Sequence, residues 1–311
     1  MRASTSLFAY LALAAVCFSW GTVYLAFRIA VESFPPLLLM GGRFFLAGTA
    51  TLLVAWAAGA RLPSRTEFSR TSFNGLLTLG LGIGTIAFSV QWIPSGLVAM
   101  LTATSPFWMV AAEALVPGGE KPNLGAMLGL VVGLAGCLLL VAPPAMAQGL
   151  GSKVLLSFLI LQIGCAGFAA GSILERRHRT TTHPIVNAAV QETATGAVFL
   201  IPAMLVPHHP ISWTWKGIEA VLYLIVFGGI VGFSSYIYAM KHLRVSLVSI
   251  YTYVNPIVAV LVGASLYGEP LGRVEAVSMV LVVAGVLIVQ RHSRQPSTGS
   301  LSVPAARASA A

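Results

Sequence analysis

Apolar runs about 20 residues long dominate this 311-residue chain and restrict its fold more than any other feature. A helix of about that length crosses the roughly 30 Å hydrocarbon core of a bilayer. The runs lack the two-residue alternation that is typical of membrane-barrel strands. Because lipid offers backbone groups no hydrogen-bond partners, a helical bundle is the remaining solution. We therefore predict an all-α polytopic membrane protein.

Charge supports the same fold class and limits the partners. Only 9% of the residues are charged, against about 25% in a soluble domain. The net charge of +9 comes from short basic clusters between the apolar runs, so we predict no nucleic-acid partner. The expected partners are the lipid bilayer and a small-molecule substrate, with no cofactor or metal and a monomeric state. The three cysteines fall inside apolar runs without metal-ligand spacing and are predicted to be packing residues: Cys17, Cys137 and Cys165.

Cutting the apolar runs to membrane length predicts ten transmembrane helices. The divisions near Pro94 and Glu269 follow from length, because an uncut run would be about twice what a bilayer needs. The first run continues without a convincing cleavage site and is predicted to stay as the first helix. The predicted spans are 6–29, 35–58, 72–92, 95–116, 123–142, 152–174, 184–206, 217–240, 246–268 and 270–290.

The placement of basic residues predicts how these spans are oriented. Most of the 18 Lys and Arg residues fall on one side of the membrane, and Arg43 lies within a span. The positive-inside rule then places both termini in the cytoplasm of a multi-pass inner-membrane protein. Residues 292–311 are rich in Ser, Pro and Ala and are predicted to form a disordered cytoplasmic tail.

The second half of the chain repeats the first with a shift of 148 to 150 positions. Pro106 aligns with Pro256, and Gly48 aligns with Gly196. Five spans are an odd number, so the second half enters the membrane from the opposite side and the halves are inverted repeats. Such repeats favour alternating access, with substrate bound near the bilayer midplane. The predicted units are a first five-helix repeat and a second, inverted one: 1–145 and 146–291.

Several short stretches resemble the ten-helix EamA-type branch of the drug/metabolite transporter superfamily, over about residues 8–290. They are Trp20-Gly21, the RFFLAG stretch 43–48, Pro106, the GGE stretch 118–120, Pro256, the GEP stretch 268–270 and the AGVLI stretch 284–288. The resemblance is specific for the fold and implies export of amino acids or other metabolites. Small multidrug members exchange protons through a first-helix carboxylate. No Asp or Glu lies between Ser6 and Ala30, so the resemblance does not extend to that route.

Polar and aromatic residues within the spans are the candidates for substrate binding. Arg43 either packs and snorkels as a structural arginine or binds a carboxylate in a cavity. Buried amides otherwise join helices, and aromatic rings otherwise pack in the core or against lipid. The predicted set is Trp20, Tyr24, Arg43, Gln91, Trp108, Gln191, Tyr238, Tyr251 and Asn255.

Two further features concern charge and bending. Glu192 lies within about 5 Å of the depth of Arg43, so the two form a candidate ion pair. A structural pair or a vestibule position is favoured for Glu192 over proton coupling. The prolines Pro106 and Pro256 lie about halfway along their spans and are predicted to act as hinges, with a static kink as the alternative.

Together these patterns predict a secondary transporter that exports small amphipathic metabolites, with aromatic or other amino acids as the specific hypothesis. The alternatives are a passive facilitator or channel and, with less support, an intramembrane lipid-modifying enzyme. Such an enzyme needs clustered acids and bases within the bilayer. All six histidines, however, fall in predicted loops or tails.

Overall fold

The computed structural model describes residues 2–117, 123–146, 151–177, 180–206, 210–243, 248, 251–269 and 271–292, and these contain helices and no strand. The predicted tail, apart from His292, and the GGE stretch 118–120 lie outside the described residues. We label the helical segments in chain order: α1 (Arg2–Ser33), α2 (Pro36–Ala57), α3 (Arg65–Ser89), α4 (Ser95–Leu115), α5 (Leu124–Met146), α6 (Gly151–Arg177), α7 (Pro184–Leu205), α8 (Trp215–His242), α9 (Tyr251–Tyr267) and α10 (Arg273–His292).

The predicted all-helical fold is confirmed. Seven of the described helices are long and apolar enough to cross a membrane, namely α1 to α4 and α6 to α8. Two shorter apolar helices lie within α5 and α9, at Leu124–Leu139 and Val254–Tyr267. The finer expectation of ten transmembrane spans stays a prediction.

Helix starts follow from local capping. Pro36 and Pro184 occupy the first turns of α2 and α7, where a proline lacks only an N–H that has no helical partner. Ser64 and Glu67 form a reciprocal capping box at the start of α3. At the start of α8, the side chain of Thr214 accepts a hydrogen bond from the Gly217 N–H at 3.1 Å.

Two of the described helices contain π-helical segments, at equivalent positions in the two halves of the sequence. In α3 the segment is Leu76–Ile83, and in α8 it is Leu224–Phe233. The first residues of the two segments lie 148 positions apart. Such segments are rare and frequently lie at functional sites, and in this structure residues of both line one internal cavity.

Helices α2 and α7 pack closely because glycines remove the side chains between them. A Cβ atom on Gly48 would collide with the backbone at Ala189 and Thr193. A Cβ atom on Gly196 would collide with the backbone at residues 41 and 45. Positions 41, 45 and 48 of the first half correspond to positions 189, 193 and 196 of the second, with a constant shift of 148. Each half therefore makes the same contact with the other.

Helices α5 and α10 also make matching contacts from the two halves, with equivalent positions 149 residues apart. A Cβ atom on Gly136 would meet the backbone at residues 278 and 282, and one on Gly285 would meet the backbone at Gly129 and Gly133. Close approach at small residues is the usual basis of helix association in lipid.

The two prolines differ in their local structure. Pro256 lies inside the continuous helix α9. Pro106 instead occupies the second position of the helix Ser105–Leu115, after α4 is interrupted at residues 103 and 104. At Pro106 the expected kink is therefore a break between two helices. A new helix starts there, and the backbone N–H that proline lacks would have no helical partner at that position. The Thr102 carbonyl accepts a hydrogen bond from Ser105 Oγ at 2.6 Å.

Candidate functional site

A cavity of about 80 Å³ lies between α1, α2, α3, α4, α6, α8 and α9. A space of that size holds several water molecules. Its walls combine apolar and aromatic side chains with a few buried polar groups. They include these residues named from the sequence: Trp20, Tyr24, Arg43, Tyr251, Asn255 and Pro256.

Aromatic rings form one wall of the cavity. The Trp20 ring packs edge-on against Tyr251, with centroids 5.1 Å apart, and against Phe168 at 6.3 Å. The hydroxyl groups of Tyr24 and Thr102 are hydrogen-bonded at 2.8 Å, which joins α1 to α4. This wall offers broad faces to an apolar or aromatic group.

Arg43 supplies the positive charge of the cavity wall. Its residue surface is 3% exposed, and its guanidinium lies over the rings of Phe44 and Phe27, at 4.0 and 4.8 Å from their centroids. Nη1 donates to the Leu224 carbonyl at 3.4 Å, while Nε has no hydrogen-bond partner among the described residues. The aromatic rings stabilise the cation through cation–π contact, and part of its donor capacity remains for a ligand.

Glu192 is fully buried, at 0% exposure, on the neighbouring helix α7. In the described part of the chain, neither of its carboxyl oxygens has a hydrogen-bond partner, and no ion pair within 4.0 Å joins it to Arg43. The expected ion pair is therefore not formed in this conformation, because Arg43 is directed toward the cavity and the Leu224 carbonyl.

Asn255 completes the polar part of the wall. It is 4% exposed, and its Oδ1 atom has no hydrogen-bond partner among the residues described. It precedes Pro256, whose ring removes a backbone donor from the same turn. An acceptor without a partner in an apolar bundle is costly unless a ligand or water satisfies it.

The other candidates from the sequence lie away from the cavity walls. Gln91 donates to the Phe88 carbonyl at 3.1 Å, and Trp108 donates to Gln162 Oε1 at 2.9 Å. Tyr238 stacks on His242 with centroids 4.1 Å apart. These three side chains and Pro106 are absent from the walls of this cavity, and the predicted binding role of the three stays a prediction.

Gln191 belongs to a separate polar cluster. The Glu175 carboxylate accepts hydrogen bonds from Asn74 at 3.0 Å, Gln191 at 3.2 Å and Asn187 at 3.4 Å. Gln191 Oε1 also accepts from the Thr78 hydroxyl at 3.2 Å. Gln191 therefore lies in a network that joins α3, α6 and α7 near the start of α7, and its predicted role in substrate binding stays a prediction.

A second network lies at the opposite end of the bundle, near the start of α2. Arg28 donates to the Val90 carbonyl and lies 4.0 Å from Glu32, which accepts a hydrogen bond from the Tyr267 hydroxyl. Glu269 accepts from the backbone N–H groups of residues 95 and 96, at 2.8 and 3.0 Å. These contacts join α1 to α9 and to the residue after α3, and they join α4 to the segment after α9.

Some wall residues were not selected from the sequence. Cys165 and Ser105 face one another, with Oγ 3.4 Å from Sγ, and both line the cavity. Phe168 is the repeat equivalent of Trp20, and that pairing was the signal that could have identified it. Thr102 and Thr252 could have been found in the same way, as repeat equivalents one turn before the prolines.

Apolar helices that surround a cavity edged by buried polar groups define a multi-pass membrane protein with an internal cavity. The chain belongs to the EamA-like transporter family, whose pattern matches residues 7–142 and 155–291. The protein is therefore a membrane transporter.

Individual relatives agree with this family. The chain is 33% identical to the uncharacterized inner membrane transporter YedA of Escherichia coli, over 89% of each protein. It is 24% identical to a probable terminal-alkyne amino-acid exporter of Streptantibioticus cattleyicolor, over 88% of this chain and 91% of the relative. A solved crystal structure with 20% identity superposes with a TM-score of 0.66, over 95% of this chain and 100% of that one, and shares its fold.

Proposed function

We propose that this protein is a monomeric secondary transporter that exports small amphipathic metabolites, with aromatic or other amino acids as substrates. The observation that carries the proposal is the cavity in which aromatic faces, the Arg43 guanidinium and the Asn255 amide meet. These groups match the three parts of an amino acid: the side chain, the carboxylate and the amino group.

The chemistry of each wall explains the match. Arg43 offers a cation that binds a carboxylate by charge-assisted hydrogen bonds. The Asn255 Oδ1 atom, without a partner in the described structure, is suited to accept from an amino group. The rings of Trp20 and Tyr251 provide the apolar faces for a side chain.

Alternating access is the proposed mechanism, with two inverted five-helix repeats over residues 1–145 and 146–291 moving around the cavity. The reciprocal glycine contacts and the matched π-helical segments support this arrangement. So do the two successive matches to one family pattern. The Glu175 network and the Arg28–Glu32 network would then act as gates at the two ends.

The names of the relatives support the substrate class and the location. One relative is named a probable amino-acid exporter and another an inner membrane transporter. We accordingly propose an inner-membrane location with both termini in the cytoplasm, and transport directed outward.

Reconstitution into liposomes tests the function. Uptake of labelled phenylalanine, tryptophan, leucine and an amine panel would be compared for the wild type and Arg43→Ala. Arg273→Ala is the matched control, because that arginine is exposed at the start of α10. We expect saturable uptake of at least one amino acid, lost in Arg43→Ala and kept in the control. No saturable flux of any solute would contradict the proposal.

A further inference from the structure

The carboxyl group of Glu192 on α7 is fully buried in the bundle, and neither of its oxygens has a hydrogen-bond partner among the described residues. Eight residues separate it from the start of α7 at Pro184, which places it about 12 Å from that end of the helix. The sequence favoured a structural ion pair or a vestibule position for this residue, and in the described structure no ion pair within 4.0 Å joins it to Arg43.

Arg43 and Glu192 nevertheless approach the same short segment of α8. A Cβ atom on Gly228 would lie 3.0 Å from Arg43 Nη1, and one on Gly229 would lie 2.6 Å from Glu192 Oε1. The two glycines are neighbours in the π-helical segment Leu224–Phe233. Their missing side chains leave room for the cation against the first glycine and for the carboxyl group against the second. Arg43 lines the cavity, whereas Glu192 is not among its lining residues.

Few other ionisable groups face Glu192. Arg43 is the only one in α2 (Pro36–Ala57), and the π-helical segments of α3 and α8 contain none. Glu175 of α6 contacts the adjacent residue Gln191. The remaining ionisable residues of α3 and α8 lie outside the π-helical segments: Arg65, Glu67, Arg70, Lys216, Glu219, Tyr223, Tyr236, Tyr238, Lys241 and His242.

Charge balance decides how such a site behaves. A carboxylate buried without a partner is strongly disfavoured, and it either pairs with a cation or takes a proton. When Glu192 is ionised, Arg43 balances it and the pair is neutral. When a solute carboxylate takes Arg43, Glu192 loses its counter-ion, and a proton on its carboxyl group removes the cost of leaving that charge buried and unpaired.

We propose that Glu192 is the proton-binding site of the transporter and that a solute carboxylate and Glu192 compete for Arg43. This inference rests on the proposed transport function. The proton adds to one carboxyl oxygen of Glu192, and no covalent bond of the solute changes. Solute and proton therefore bind together, cross together and leave together, and the outward step is driven by the solute that accumulates in the cell.

Infrared spectroscopy tests protonation without requiring transport. The full-length protein in lipid would be titrated with acid while the carbonyl band of protonated carboxyl groups is followed. We expect a carbonyl band from a carboxyl group that is shielded from water. This band should be lost in Glu192→Gln and kept in Glu192→Asp. It should also be kept in the control Glu219→Gln, because Glu219 is exposed. An unchanged band in Glu192→Gln would overturn the proposal.

Proton flux tests the coupling. Liposomes containing a trapped pH-sensitive dye would be loaded with phenylalanine and diluted, so that efflux reports solute and proton movement together. We expect about one proton per phenylalanine for the wild type, and in Glu192→Gln a ratio of protons to phenylalanine that falls to near zero, whatever the rate of phenylalanine efflux. Proton movement that persists in Glu192→Gln would overturn the inference. Absence of any phenylalanine flux in the wild type would count against the proposed function with this probe, and the infrared result would still decide the role of Glu192.

Discussion

At the residue scale, an arginine inside an apolar span is the feature that the sequence makes most conspicuous. Arg43 was assigned either to packing or to a cavity. In the structure it does both, since its guanidinium packs on two phenylalanine rings and lines the cavity. The position of Arg43 along its predicted span was sufficient to give its depth below the membrane surface. It could not give the direction of the side chain, which depends on how α2 rotates against its neighbours.

Arg43→Lys separates charge from shape at this position. Lysine keeps the positive charge and loses the planar fork that holds a carboxylate through two hydrogen bonds. We expect the apparent affinity for an amino-acid substrate to fall by about tenfold, since one charge-assisted hydrogen bond contributes about 1.5 kcal/mol or more. Concentration-dependent uptake in liposomes measures it, and equal affinity for the two proteins would exclude bidentate binding.

Trp20 tests the aromatic wall in a similar way. Its ring contacts Tyr251 and Phe168 beside the cavity. We expect Trp20→Phe to keep most transport of aromatic amino acids and Trp20→Ala to weaken it about tenfold, because the stacking face is lost. Competition by unlabelled tryptophan and alanine checks this result, and an equal loss for both competitors would show that Trp20 acts only through packing.

At the element scale, the pairing of α2 with α7 is set by glycines that the repeat relates. The repeat was visible in the sequence as Gly48 opposite Gly196. Which face of each helix carried the contact was not visible, because almost every face of these helices is apolar. The π-helical segments were not predicted from the sequence, because their residues are as apolar as those of an ordinary membrane helix.

Alanine substitution at these glycines should reveal the reciprocity. A Cβ atom at Gly48 or Gly196 would collide with backbone, so each variant should lose about 1–3 kcal/mol of stability, as overpacked cores do. Gly42 on the same helix has nothing within 4 Å of the added atom, and Gly42→Ala is the matched control. Thermal unfolding in detergent measures the effect. A loss in one of the two variants alone would contradict equivalent contacts.

Substitution of the two prolines is expected to change the transport rate to different extents. Pro256 lies within a continuous helix at the cavity wall, whereas Pro106 starts a helix. We expect Pro256→Ala to slow transport several-fold, because it restores a backbone hydrogen bond and stiffens α9. Pro106→Ala should change the rate less. Normal transport by Pro256→Ala would favour a static kink.

At the scale of the whole molecule, composition and run length were sufficient to predict a helical membrane protein. The resemblance in the RFFLAG and AGVLI stretches was sufficient for its family. The cavity was predicted in part. Trp20 and Asn255 line it, whereas Gln191 and Trp108 are held by side chains distant in sequence. Buried amides satisfy one another through tertiary contacts, and a single sequence does not specify those partners.

Orientation belongs to this scale as well. In a background with the three cysteines replaced, single cysteines would be introduced at Ser64 and Ser212, which are both exposed between helices. We expect a membrane-impermeant thiol reagent applied to intact cells to label Ser212→Cys and to spare Ser64→Cys, because the basic side faces the cytoplasm. Labelling of Ser64→Cys alone would reverse the proposed orientation.

The central claim is that one cavity alternately opens to the two sides of the membrane, and countertransport tests it most directly. Liposomes would be preloaded with unlabelled solute, and the entry of the same labelled solute would be timed. Alternating access predicts that preloading accelerates a saturable uptake. A carrier that has released labelled solute inside can bind unlabelled solute there and return to the outside in the loaded state. Uptake that rises linearly with concentration and is indifferent to preloading would instead identify a passive channel and contradict the account.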